Sequence, residues 1–191
     1  MIKSKAPIIF VGFMGTGKTT IGRYLSDLQN LSYVDLDEYI ERNENKSIPD
    51  IFQEHGEQKF RDLEFKYLKE CLNTFEIIST GGGIIENKDS LKLLKNEKNV
   101  IWLDCDINVI YRRIVSDPHR PNAKDKSLEQ LNTLYCSRVS RYNETAFMKV
   151  NSALTVSEIY EKILQNLFCD WSVLERIKLK HIYIIINLRI L

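Results

Sequence analysis

The sequence predicts an α/β protein with a five-stranded parallel sheet and helices on both of its faces. Two observations predict it: short apolar runs alternate along the chain with segments of helical period, and the first such run ends in a glycine-rich turn that opens into a helix. The length of 191 residues fits one compact domain, since domains commonly hold roughly 100–200 residues.

In chain order, Ile8–Val11 reads as the first strand and Lys18–Leu28 as the helix after the glycine turn. Tyr33–Asp35 reads as a second strand running into a helix near Glu38–Asn43. Phe60, Leu63, Tyr67, Leu68 and Cys71 recur at helical spacing and predict one amphipathic helix over Glu57–Leu72. Strand Ile77–Ser79 meets a triple glycine, and a helix near Lys88–Lys95, a strand Val100–Leu103 and a helix Ile107–Val115 follow. Residues 116–126 hold Pro118, Pro121, Asn122 and Asp125, the composition of a polar loop. A long helix over Leu128–Asn143, a strand Met148–Val150 and a helix Ser157–Leu167 complete the pattern. Residues 1–168 thus make the domain, and residues 169–191 form a tail that does not fit it. The tail carries Ile182-Tyr183-Ile184-Ile185-Ile186, a β-prone run that exposure would make an aggregation hazard.

Composition excludes several classes. Apolar residues make up 43% and charged residues 28%, enough to bury a core without disulfide or metal staples. A net charge of +1 argues against a general nucleic-acid binder. Cys71, Cys105, Cys136 and Cys169 stand far apart, outside the close pairs of zinc sites and dithiol chemistry, as suits idle thiols in a reducing cytosol. No cleavable leader pattern opens the chain, and no apolar stretch nears the roughly 20 residues of a membrane helix. The expectation is a cytoplasmic protein with no membrane partner.

The sharpest motif is Gly12-Phe13-Met14-Gly15-Thr16-Gly17-Lys18-Thr19, which fits G-x-x-x-x-G-K-[ST] with a strand before it and a helix after it. Such a loop turns its main-chain N–H groups toward the phosphates of a nucleotide. The lysine reaches the β- and γ-phosphates, and the hydroxyl of Thr19 can ligate Mg²⁺. The helix N-terminus adds partial positive charge. Gly15, Thr16, Gly17, Lys18, Thr19 and Thr20 are therefore the expected nucleotide-binding residues, in a three-layer P-loop NTPase fold. A GTP switch is not expected. Asn122-Ala123-Lys124-Asp125 has the residues of the guanine signature in the wrong order, and no Asp-x-x-Gly element is present.

Ligands of parallel sheets collect beyond the carboxyl ends of the strands. Asp35 and Asp37 stand there and, two apart in extended chain, share a face. One carboxylate could hold Mg²⁺ through water and the other take the proton of an attacking hydroxyl. An N-cap for the following helix is an equally good reading of the same spacing. Thr80-Gly81-Gly82-Gly83 exposes backbone for close ligand contact, or simply turns the chain. Arginine binds a carboxylate or phosphate through two parallel hydrogen bonds, and Arg120, between two prolines in the polar loop, is the strongest single candidate for a residue that closes over substrate. Asp104 ends an apolar run as a Walker B aspartate would. His55, His119 and His181 have no partners at metal spacing and read as surface or loop residues, and Trp102 reads as core.

Together the glycine-rich loop, Asp35-x-Asp37, Gly56-Glu57-Gln58-Lys59-Phe60-Arg61, the triple glycine and Arg120-Pro121 resemble, in order and spacing, the shikimate kinases. The likeness covers about residues 7 to 167. It implies a nucleoside-monophosphate-kinase-like fold with a lid near 116–126, and transfer of phosphate from ATP to shikimate with Mg²⁺, by a monomer, on the way to chorismate and the aromatic amino acids. It further implies that Asp37 orients or deprotonates the attacking hydroxyl and that Asp35 and Thr19 serve the magnesium ion. Arg61 and Arg138 would grip the shikimate carboxylate, Gly82 would contact its hydroxyls, Arg113 would lie near adenine, and Arg120 with Lys18 would act on the phosphates. Arg138 is chosen over Arg141 by its spacing to Tyr142. Two departures are visible: Asn122 follows Pro121 where relatives often have leucine, and the tail has no counterpart.

Two other readings share the nucleotide loop. A gluconate kinase of the same fold would differ in the acceptor pocket, where Asp37, Arg61, the triple glycine and Arg138 favour shikimate. A non-enzymatic nucleotide sensor would have no use for a base at Asp37.

Overall fold

The computed structural model describes residues 6–115 and 127–167. Five strands, β1 (Ile8–Val11), β2 (Tyr33–Asp35), β3 (Ile77–Ser79), β4 (Asn99–Asp104) and β5 (Met148–Asn151), form one sheet in the order β2-β3-β1-β4-β5. Every pairing is parallel. The helices are α1 (Lys18–Gln29), α2 (Leu36–Glu44), α3 (Ile48–Thr74), α4 (Lys88–Lys95), α5 (Ile107–Val115), α6 (Leu128–Thr145) and α7 (Val156–Leu167), with a 3₁₀ turn at Ile84–Glu86.

Strand alternation divides the core into two layers. Ile9, Val11, Ile78, Val100 and Trp102 pack on one face, while Ile8, Phe10, Ile77, Ile101 and Leu103 pack on the other. Both faces are covered, so the strands read as continuous apolar runs rather than an alternation of apolar and polar. The first layer takes in Leu36, Ile40, Phe60, Leu68, Leu94, Ile110 and Tyr142; the second takes in Ile21, Leu25, Ile159 and Ile163. Trp102 is core, as expected, 5.8 Å from the ring of Tyr142.

The chain leaves β1 toward β2 on one side, fills the gap with β3, and then crosses to β4 on the other side. The loop after β1 therefore opens at the point where successive connections part, the usual ligand crevice of such sheets.

The predicted strands and helices are all present, with ends differing by a few residues. The exception is α3, which begins well before Glu57. Ser47 caps it, Pro49 sits in its first turn, and Gly56 breaks it at φ 78° and ψ 172°. That break splits the apolar period, so only the second segment shows in the sequence. The loop 116–126 with Arg120 and His119, and the tail with Cys169 and His181, lie outside the described residues.

Candidate active site

The loop between β1 and α1 is built by backbone conformation. Gly12, Gly15 and Gly17 hold φ of 141°, 76° and 84°. A β-carbon at Gly12 would also strike the Leu103 carbonyl oxygen, so glycine is required there twice over. The hydroxyl of Thr16 donates to the Phe13 carbonyl at 2.8 Å. Lys18 Nζ donates to the carbonyls of Gly12 and Phe13 at 2.9 Å each, which curls the loop around a cation.

Thr19 opens α1 and donates its hydroxyl to Asp35 Oδ2 at 2.7 Å. The other oxygen of Asp35 accepts the Asp37 N–H at 3.1 Å and caps α2. The two readings of Asp35 are thus compatible: one oxygen caps the helix and the other sits at the loop. A threonine hydroxyl beside a carboxylate is a hard-oxygen pair of the kind magnesium takes alongside water and phosphate oxygens. Among the described residues no group of three or more His, Cys, Asp or Glu could hold a metal ion without such help.

A cavity of about 520 Å³ runs from this loop across the carboxyl ends of the strands. Gly15, Thr16, Gly17, Lys18, Thr19, Thr20, Asp35, Asp37, Gly82 and Arg113 all line it. Arg113 donates to the carbonyls of Gly15 at 3.3 Å and Ser152 at 2.8 Å, on the side walled by Leu154, Val156 and Ile159.

Arg61 and Arg138 stand behind the triple glycine rather than on the cavity wall. Arg61 lies against Gly83 and reaches Glu64 at 2.5 Å and Glu57 at 2.8 Å. Arg138 donates to the Gly82 carbonyl at 3.4 Å and carries its guanidinium 5.7 Å above the ring of Phe13. Tyr142 donates to the same carbonyl at 2.5 Å. Arg138 is buried and Arg141 is not.

Glu64 was not foreseen, and it connects these groups. A β-carbon on Gly81 would lie 2.7 Å from Asp37 Oδ1 and 2.8 Å from Glu64 Oε1, so both carboxylates lie against that glycine. Burial pushes the Glu64 carboxyl up to about 7, although Arg61 and Arg138 pull it down, and the Asp37 charge adds to the rise. The signal was present in the sequence: Glu64 interrupts the apolar face of α3, one turn beyond Arg61. Glu86, which bridges Arg138 and Arg141, had no local signal because its partners come from a distant helix.

Asp104 is a strand-end residue of another cluster. It accepts from Tyr135 at 2.8 Å and pairs with Lys149 at 2.7 Å, and it lines a separate hollow with Cys105 and Asn151. His55 is exposed beside Glu54.

The family model for shikimate kinase matches residues 14–168. The chain belongs to the shikimate kinase family. A shikimate kinase of Staphylococcus epidermidis (strain RP62A) is 68% identical over 166 residues, covering 87% of this chain and 98% of that protein. The solved structure of a shikimate kinase from Acinetobacter baumannii in complex with shikimate superposes with a TM-score of 0.79 at 30% identity, over 87% of this chain and 95% of that one. A gluconokinase from Sinorhizobium meliloti reaches a TM-score of 0.51 at 16% identity over 85% and 91% of the two chains, a likeness of fold alone. The resemblance read from the loop, the aspartates and the triple glycine is therefore borne out at the level of the shikimate kinase family.

Proposed function

We infer that this chain transfers the γ-phosphate of ATP to the 3-hydroxyl of shikimate, yielding ADP and shikimate 3-phosphate on the route to chorismate and the aromatic amino acids. One observation beyond family membership carries the reading: Asp37 shares a single cavity with Lys18 and Thr19, and Glu64 links it to Arg61 behind the glycine turn.

The main-chain amides of residues 15–19 and the N-terminus of α1 receive the phosphates, and Lys18 moves from the loop carbonyls to the β/γ bridge. Thr19 through its hydroxyl, and Asp35 through water, would hold magnesium, which neutralises phosphate charge when bound. Asp37 orients the acceptor hydroxyl and accepts its proton as its oxygen bonds to the γ-phosphorus, while the bond from that phosphorus to the leaving oxygen of ADP breaks. Arg61 and Arg138 pair with the acceptor carboxylate, and Gly82 meets its hydroxyls. Arg113 packs by adenine, and Arg120 closes on the phosphates from the lid at 116–126. Cations converge because two anions must be brought together.

Residues 1–168 act as one kinase domain, with residues 169–191 outside it. The enzyme works as a cytoplasmic monomer on small molecules, without nucleic acid or membrane partners. Among the described residues no helix is long and apolar enough to cross a membrane.

The test is release of ADP from ATP and Mg²⁺ with shikimate, gluconate, a nucleoside monophosphate or no acceptor. Release with shikimate alone supports the reading. Release with gluconate and not shikimate overturns it.

A further inference from the structure

The 3₁₀ turn after the triple glycine ends in Glu86, and its carboxylate is divided between two arginines of α6. Oε1 accepts from Arg138 Nε at 2.6 Å, and Oε2 pairs with Arg141 Nη1. The two arginines differ in kind: the Arg138 side chain is 9% exposed and that of Arg141 is 40% exposed. One is an inner cation and the other stands at the rim. Glu86 takes the Nε edge of Arg138, while Nη1 meets the carbonyl of Gly82, a residue of the cavity wall. The guanidinium plane is thus fixed from three sides, by Glu86, Gly82 and the Phe13 ring.

We propose that Glu86 is a positioning residue for acceptor binding, holding Arg138 by one edge so that the other stays at the glycine turn, with Arg141 anchoring Glu86 in place. The proposal rests on the reading that Arg138 meets the acceptor carboxylate. An unpinned arginine has many rotamers, and ordering them would weaken binding; Glu86 removes that cost before the acceptor arrives. One carboxylate shared by two guanidiniums leaves the trio net positive, so it still attracts an anion. Paired with two cations, Glu86 is held ionised: the Arg138 and Arg141 contacts outweigh its partial burial and keep its carboxyl below the ordinary value.

Steady-state kinetics with shikimate and ATP would compare the wild type with Glu86→Ala, Glu86→Asp, Arg138→Ala and the Glu86→Ala/Arg138→Ala double variant, with thermal melts to check folding. Glu86→Gln, which keeps the volume, replaces Glu86→Ala if that variant does not fold. Glu86→Ala is expected to raise the KM for shikimate about tenfold and the KM for ATP less than about twofold, because a charge-assisted hydrogen bond is lost. Glu86→Asp should recover part of the loss. In the Arg138→Ala background, removing Glu86 should change nothing further. Unchanged or tighter shikimate binding in Glu86→Ala, with Arg138→Ala weakened, would overturn the proposal and make Glu86 a rim ion pair or a competitor. An undiminished Glu86 effect in the Arg138→Ala background would overturn it too. If Arg138→Ala itself leaves the shikimate KM unchanged, the reading of Arg138 as a carboxylate ligand fails, and the role of Glu86 falls with it.

Discussion

Thr19 and Asp35 meet hydroxyl to carboxylate at 2.7 Å, joining the start of α1 to the end of β2. The same aspartate caps α2 with its second oxygen, so replacing it disturbs two things at once. Asp35→Ala should lower stability by about 1 kcal/mol through the lost cap and should also raise the magnesium concentration needed for half activity. Asp35→Ser restores a capping oxygen without the charge. It should recover the melting temperature and not the magnesium response, measured as activity against Mg²⁺ at fixed ATP. Recovery of both would reduce Asp35 to a cap.

Asp37 stands two residues on, its N–H tied to Asp35 and its side chain on the cavity wall. Asp37→Asn keeps the shape and removes the proton acceptor. Turnover should fall roughly 10²–10⁴-fold, the usual range for a lost general base, with the Kd for ATP by calorimetry unchanged. Undiminished turnover would remove Asp37 from the chemistry.

The fold was legible wherever a signal was local. Strand boundaries came from apolar runs flanked by polar residues, and the nucleotide loop from four fixed positions, Gly12, Gly17, Lys18 and Thr19, followed by a helix. The first part of α3 was not legible, because Gly56 resets the helical phase and leaves a short segment with Ile51 as its one fully buried residue. In the site, residues with a motif around them, Lys18, Thr19, Asp35 and Asp37, were legible and line one cavity. Glu64 and Glu86 were not, since their roles arise from packing: one is buried against Asp37 and Gly81, and the other meets arginines from α6.

Glu64 predicts a pH dependence of stability. Burial raises its carboxyl from 4.5 to about 7, so between those values the folded protein binds a proton that the unfolded chain has released. Stability from this group is complete below about 4.5 and is lost as pH rises through about 7. Glu64→Gln should flatten that part of the curve, read as the denaturation midpoint at pH 5, 6, 7 and 8 for both proteins. An unchanged slope would show that Glu64 is ionised throughout.

Gly81 separates the two carboxylates, and an added methyl there would press on both. Gly81→Ala should displace Asp37 and Glu64 side chains, lowering kcat and raising the KM for shikimate, while ATP binding holds because the nucleotide loop is not touched. Titration of ATP by calorimetry and steady-state kinetics separate the two effects. An equal loss for both substrates would point to a general collapse of the cavity.

Arg61 offers the sharpest separation of binding from stability. Arg61→Ala should raise the KM for shikimate far more than the KM for ATP, since a carboxylate partner is lost. It should also destabilise the fold, because Glu64, wholly buried, loses the cation it is hydrogen-bonded to and keeps only the more distant field of Arg138. The double variant Arg61→Ala/Glu64→Gln removes that uncompensated group and should regain most of the lost stability in denaturant titration. Its KM for shikimate should stay high. If stability and acceptor affinity return together, Arg61 serves only to neutralise Glu64, and the acceptor carboxylate must find its cation elsewhere.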